Sequence, residues 1–322
     1  MVLLLTHSGD FYTVDLVQAA LQELGTPFFR VNTDLLPVQY PVSVDFAAGE
    51  PVLTFHLEEV PVRLSSTQVK SVWCRRLWPA QFPEDCPLDL VEQCRPAATQ
   101  LVLDGLALFR DALWMNPIDH GTRAESKILQ LNLAHEIQMP TPETLITNEP
   151  QKIHDFFHRH QGKIITKLLV PTVVSMEFHQ DFAYTCMVRE EHLAHLNQVR
   201  GRPQIFQPFL RKLREYRVAV VGEQIFVGAL DVPSTGPLAI DWRQATEDDG
   251  LKWENRALPD EIADKALQLM ELLGLNFGVF DFVETLDGEF YFLEVNQAGE
   301  WGMLQRDLEL PIAQAIAREL SV

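Results

Sequence analysis

Three oxygen-bearing side chains near the C-terminus pose the first chemical question. In the stretch G-V-F-D-F-V-E-T-L-D-G-E-F-Y-F-L-E-V-N, alternating runs flank Asp287-Gly288, a favoured two-residue type I′ hairpin loop. With that loop, Asp281 stands directly across from Glu294, and like charges so placed repel. Asn296 lies two residues past Glu294 and so shares its face. Together the three offer only hard oxygen ligands of the type Mg²⁺ prefers. The plainer alternative is a solvated carboxylate pair on an open face. Flanking Phe280, Phe282, Phe292 and Leu293 argue against it by implying burial on at least one side.

A cationic set accompanies them. Lys167 stands in K-I-I-T-K-L-L-V, a core-type strand, where an ammonium needs an anion or a path to water; an edge-strand lysine that snorkels is the alternative. Lys127 opens a helix. Glu215 and Arg217 share a strand face by their spacing of two, and Arg243 follows Asp241 and Trp242. Arginine supplies forked donors that match phosphate and carboxylate oxygens. Taken singly, each arginine is more often a surface ion-pair partner, and Lys127 alone is uninformative. Arg75 and Arg76, after Trp73 in V-W-C-R-R, leave opposite faces of a strand, so one should reach a cleft while the other ties the scaffold.

Other chemistries lack their signatures. G-x-S-x-G, G-x-x-x-x-G-K-[ST] and G-x-G-x-x-G are all absent. His154, His158 and His160 cluster on a helix end without further ligands. Across 322 residues, 26 basic against 45 acidic side chains leave a net charge of −19, the wrong sign for gripping nucleic acid or anionic lipid by bulk charge. Four cysteines without C-x-x-C spacing read as reduced thiols. No apolar run reaches membrane-spanning length. The expectation is a cytoplasmic protein with no nucleic-acid or membrane partner.

The elements that must position these groups follow from periodicity. A strand at Val2 to Thr6, a helix from Asp15 to Leu24 stopped by Gly25, and a strand at Pro27 to Val31 make a βαβ unit. A hairpin within 42–64, a strand over 69–77 and a helix over 87–110 complete a first domain, which ends at the Asn-Pro near residue 118. Helices over 123–136 and 151–160 and a strand over 163–170 follow. Gly222-Glu223, a Gly-first loop, suits a type II′ hairpin between 217–221 and 224–230. A helix over 259–273, the metal hairpin and a helix over 311–320 close the chain.

In order, Lys127, Lys167, I-F-Q-P-F, E-Y-R, D-W-R, the Asp281 strand and L-E-V-N resemble the ATP-grasp ligases across essentially the whole chain. Within them, V-L-L-L-T-H-S-G-D-F, V-W-C-R-R, V-G-E-Q-I-F and F-L-E-V-N-Q-A-G-E-W-G-M-L resemble the peptide macrocyclases of microviridin-type graspetide biosynthesis. W-G-M-L-Q-R-D-L inclines toward the lactam-forming branch. The resemblance implies an α/β fold with α+β lobes: a pre-ATP-grasp domain over 1–118, a central domain over 119–195 and a C-terminal domain over 196–322. It also implies ATP and Mg²⁺, a homodimer and a ribosomal precursor peptide of leader plus core.

By the same resemblance, Lys127 and Lys167 would contact the nucleotide phosphates. Gln207, Pro208 and Phe209 would form the adenine hinge, and Glu215 would hold the ribose. Lys167, Arg217 and Arg243 would act in catalysis, with Asp281, Glu294 and Asn296 as metal ligands. The chain departs from the family at Pro208, where Glu is usual, and at Gln297, where Pro is common. Proline removes an N–H, so adenine would rely on the Phe209 backbone or a carbonyl. The loop from Pro171 to Asp181 is a candidate lid, and the hairpin region up to Glu191 resembles the family's leader dock. Two rivals stand beside this reading: an intermolecular amino-acid ligase acting on a protein or peptide tail, and a non-catalytic ATP-binding regulator.

Overall fold

The structure is a computed structural model that describes residues 1–46, 49–57, 60–169 and 185–321. The candidate lid, 171–181, lies outside these residues. The N-terminal region carries a parallel sheet in the order Phe28–Asn32, Val2–Thr6, Ser71–Cys74, Leu113–Met115. Its fully buried first strand explains the unbroken apolar run at the start of the chain, since a parallel strand is covered on both faces. The stretch expected to be one hairpin forms three antiparallel strands, Val42–Asp45, Val52–Leu57 and Val60–Ser65.

A central sheet runs Cys186–Met187, Ile164–Leu168, Gln204–Pro208, Leu145–Thr147. The C-terminal sheet has five antiparallel strands, ordered Trp253–Asn255, Gln224–Asp231, Lys212–Val221, Phe277–Thr285, Phe290–Asn296. One face of this sheet, with Ala219, Val221, Phe277 and Val279, joins the N-terminal sheet in a shared core. That core is completed by the helices Tyr12–Glu23 and Ile312–Leu320, which pack on each other, and by fully buried Trp301. The opposite face, with Val218, Phe280, Phe282 and Phe292, packs under the helices Lys127–Glu136 and Asp260–Leu273.

The helix expected over 123–136 is instead two, Ile118–Ala124 and Lys127–Glu136. Ser126 separates them, its hydroxyl accepting from the Leu129 N–H at 3.3 Å as an N-cap. Lys127 is thereby the first residue of its helix. The Asp260–Leu273 helix begins with Asp260 and Glu261 at its positive end and stops at Gly274, at φ +68°. A Cβ at Gly274 would sit 2.4 Å from the His120 ring, so both backbone and space require glycine.

Candidate active site

The two hairpins that frame the site reach their registers differently. Val221 pairs with Gln224, so the loop at Gly222-Glu223 has two residues, with Gly222 at φ +56°. The Asp287-Gly288 loop was expected to match it and does not. Thr285 donates its N–H to Glu289 O and Gly288 donates to Thr285 O, both at 2.9 Å, so Leu286, Asp287 and Gly288 form a three-residue loop with Gly288 at φ +81°. That is a turn closed by a left-handed residue. Pairing is one residue out of the expected step through Phe282 and Phe292, and a bulge at Leu293 then restores it. Asp281 consequently does stand opposite Glu294, by a route that the turn alone did not foretell.

Across three adjacent strands the sheet lays out Arg217, Asp281 and Glu294 in one row. Arg217 Nη1 donates to Asp281 Oδ1 at 2.8 Å and Oδ2 at 3.0 Å. Lys127 Nζ lies 2.6 Å from Glu294 Oε2, and Asn296 Nδ2 donates to Glu294 Oε1 at 3.3 Å. Phe280, Phe282 and Phe292 fill the opposite face as a mutually packed ring cluster, which anchors the row from behind.

Lys167 is paired with Ile205 on an interior strand, not on an edge. Its ammonium makes no hydrogen bond among the described residues. Burial holds its ammonium below the usual lysine range, offset by the attraction of Glu294 and reinforced by the like charge of Lys127. Burial raises Glu294, yet Lys127 and Lys167 outweigh it and hold the carboxyl down to about 2. Asp281 is raised, by burial first and with help from Glu294, against the pull of Arg217. Arg243 grips buried Asp241 through Nε at 2.8 Å and Nη2 at 2.5 Å, and its charge reaches Asp281 and Glu294. Four cations thus converge on two carboxylates in a strongly acidic protein.

The nucleotide-side expectations fare unevenly. Glu215 shares the face of Arg217, as its spacing implied, and is ion-paired with Lys212. Burial raises its carboxyl against that pairing. The Gln207 side chain is buried and donates to Thr144 Oγ1 at 2.9 Å. The Phe209 amide, expected as an alternative adenine contact, instead donates to Lys163 O at 2.9 Å and closes the strand pair beyond Pro208. A carbonyl is the alternative that remains. Of the two arginines, Arg75 is 2% exposed and bound into the scaffold, while Arg76 is half-buried. His154 and His158 touch through their Nε2 atoms at 3.1 Å, away from this row, and His160 pairs with Glu143.

Sequence reasoning missed two buried amides. Gln130 is 1% exposed; its Oε1 accepts from Val295 N–H at 3.0 Å and its Nε2 donates to Val295 O at 2.8 Å. Asn116 accepts from the Asn276 and Phe277 N–H groups and donates to Phe277 O and Gln297 O. Only their position at an Asn-Pro break and inside an amphipathic helix hinted at burial.

The donor set suits Mg²⁺. Asp281 and Glu294 give carboxylate oxygens, and the side-chain Oδ1 of Asn296 accepts no hydrogen bond among the described residues. No group of three or more His, Cys, Asp or Glu among those residues could hold a metal alone. Such a site fits an ion shared with phosphate oxygens, which is how Mg²⁺ is usually held beside a nucleotide.

Comparison with known proteins accounts for the whole chain. A family model described as the MvdD pre-ATP grasp domain matches residues 1–122, and one described as the RimK-like ATP-grasp domain matches 122–320. Macrocyclase MdnB from Microcystis aeruginosa MRC is 38% identical over 99% of this chain and 98% of its own, with a TM-score of 0.84. MdnC from the same source, bound with precursor peptide MdnA, is 29% identical over 99% and 98%, at 0.85. A Chryseobacterium gregarium RiPP-associated ATP-grasp ligase, in complex with ADP and a leader and core peptide, is 25% identical over 99% and 96%, at 0.88. No curated protein matches. The chain belongs to the ATP-grasp ligases, with an MvdD-type pre-ATP-grasp domain joined to a RimK-like ATP-grasp domain as in the macrocyclase MdnB.

Proposed function

We propose that this chain activates Asp or Glu side chains of a ribosomally made precursor peptide as acyl phosphates and closes macrolactam rings, with macrolactone closure as the other chemistry open to the same site. The observation that carries the ligase half is the row Arg217, Asp281, Glu294 flanked by Lys127 and Lys167. The peptide half rests on the likeness to MdnB over the full chain and to MdnC bound to its precursor. W-G-M-L-Q-R-D-L supports the lactam branch.

In this reading a peptide carboxylate oxygen attacks the γ-phosphorus of ATP and ADP leaves. An amine nitrogen of the same peptide then attacks the acyl carbon, loses a proton and expels phosphate. Lys127 and Lys167 receive the triphosphate, and Arg217 and Arg243 steady the transferring group, because fixed cations are worth most where charge develops. Asp281, Glu294 and Asn296 would hold Mg²⁺, which would neutralise phosphate charge. Gln207 to Phe209 line the adenine end through a carbonyl, and Glu215 takes the ribose. Keeping water from the acyl phosphate is essential, since hydrolysis would regenerate the acid.

The lobes over 1–118, 119–195 and 196–322 bound the cleft, and the region up to Glu191 receives the leader. No helix among the described residues is long and apolar enough to cross a membrane; the cytoplasmic homodimer belongs to this reading through the family resemblance alone. The test is incubation with ATP, Mg²⁺ and a synthetic precursor taken from a short reading frame beside the coding sequence. Loss of one water per ring with stoichiometric ADP supports the proposal. ADP release with an added amino acid and a mass gain supports the intermolecular rival, and binding without turnover supports the regulator.

A further inference from the structure

Arg217 is oriented by a backbone carbonyl. Its Nε and Nη2 both donate to Glu300 O, at 3.0 and 2.9 Å, which fixes the plane of the guanidinium and leaves Nη1 facing the carboxylate row. The position of that carbonyl is set in turn by a second arginine from the other domain. Arg75 donates from Nη2 to Glu300 Oε2 at 2.8 Å and from Nη1 to Ala298 O and to Gly299 O, the latter at 3.4 Å. Three consecutive residues are therefore held by one fork. Behind it, Arg75 Nε lies 3.7 Å from Asp10 Oδ2, and Nη2 lies 3.5 Å from Thr13 Oγ1.

The loop has no slack. Glu300 Oε1 accepts from the N–H groups of Trp301 and Gly302, at 3.2 and 2.9 Å, starting the Gly302–Leu308 helix. A Cβ at Gly299 would lie 2.5 Å from Val279 Cβ, two residues from Asp281 on the same strand, and one at Gly302 would strike the Tyr12 ring at 2.8 Å. A displacement at Arg75 is thus passed to the Glu300 carbonyl and from there to Arg217. A guanidinium almost without solvent contact is a costly way to join two domains unless its geometry is used.

We propose that Arg75 and Glu300 are positioning residues for phosphoryl transfer: through the Ala298 to Glu300 loop, the N-terminal domain aims the Nη1 edge of Arg217 at the reacting phosphate. The proposal rests on the ligase reading above; with Nε and Nη2 held by the Glu300 carbonyl, Nη1 is the edge left to meet a phosphate beside Asp281.

The test is a double-mutant cycle of Arg75→Lys and Arg217→Lys, read as kcat and KM for ATP in ring closure. Lysine keeps each charge and loses the fork. Arg75→Lys in the parental enzyme should lower kcat ~10- to 100-fold, the scale of a misplaced reacting geometry, with KM for ATP within about twofold. In the Arg217→Lys background the same change should add less than about threefold, since residues acting through one another are not additive. Full additivity, an unchanged kcat, or a loss that tracks only the folded fraction in a thermal melt would overturn it. Should Arg75→Lys fail to fold, Glu300→Gln replaces it in the cycle, because it keeps the bonds to Trp301 and Gly302 while discarding the charge that Arg75 grips. A parental enzyme that closes no ring with any precursor refutes the ligase reading itself, before any variant is compared.

Discussion

Gln130 and Val295 are paired as if they were neighbours in a sheet: one side-chain amide satisfies both the N–H and the carbonyl of a strand residue. Val295 lies between Glu294 and Asn296, on the outer strand of the five-stranded sheet. Lys127, one turn earlier on the helix of Gln130, reaches Glu294. The helix and the Glu294 strand are therefore tied by one amide and one ion pair.

Replacing Gln130 with Leu tests this arrangement. The substitution leaves Val295 N–H and the carbonyls of Val295 and Ala124 without their partner in a buried place, and an orphaned buried polar group costs about 1–3 kcal/mol. Urea unfolding should show a loss of at least about 2 kcal/mol with m unchanged. A loss under half of that would mean that water satisfies the strand edge.

The Asp281–Glu294 hairpin predicts the outcome of two deletions. Removing Leu286 leaves Asp287-Gly288 as a two-residue loop and keeps every later pair, so ring closure should continue at near the parental rate. Removing Leu293 takes out the bulge but leaves Glu294 next after Phe292, still opposite Asp281 with Asn296 on its face, so ring closure should continue there too. Mass spectrometry of the peptide, with circular dichroism to confirm folding, decides. Loss of turnover in either folded variant would show that the Asp281–Glu294 register does not follow from these loop and bulge residues.

The same hairpin marks how far the sequence could be read. Alternation and the pairing of Phe280, Phe282 and Phe292 against the core were legible, because faces of a strand follow from period two. The bulge was not, since Leu293 is apolar like its neighbours and nothing local distinguishes an extra residue. The Gly222 loop was legible because glycine at the first loop position suits only a few turns. Lys127, Lys167, Arg217 and Arg243 could be suspected in the chain, but their convergence on Asp281 and Glu294 joins residues more than 150 positions apart. Arg75 against Arg76 was a choice between faces, and the buried carbonyls of 298 and 299 that decided it belong to a distant loop.

Thiol chemistry provides a check on the strand that leads to Arg75. Cys74, Cys86 and Cys94 carry free thiols, and Cys186 is exposed. Burial pushes the Cys74 thiol up to about 12, so little thiolate exists there near neutrality. N-Ethylmaleimide at pH 8 should label Cys186 well ahead of Cys74, and Cys74 should react only as the protein unfolds. Peptide mapping that finds Cys74 modified early in the native protein would contradict the packing of the Ser71–Cys74 strand.

Lys167 carries the prediction with opposed signs. Its ammonium sits on an interior strand without a hydrogen-bond partner among the described residues, and burial disfavours its charge. Burial outweighs the attraction of Glu294 for that charge, so Lys167→Met, which keeps the stem and discards the charge, should hold stability or raise it by about 1 kcal/mol. Ring closure should fall by a hundredfold or more, the usual order when a cation aimed at developing charge is removed. Arg217→Met behaves differently, because it also abandons Asp281 and the Glu300 carbonyl, and should lose both activity and stability. The pair is compared by thermal melting and by peptide mass. A Lys167→Met protein that melts well below the parent would show that the lysine supports the strand. One that closes rings normally would show that the phosphates lie elsewhere.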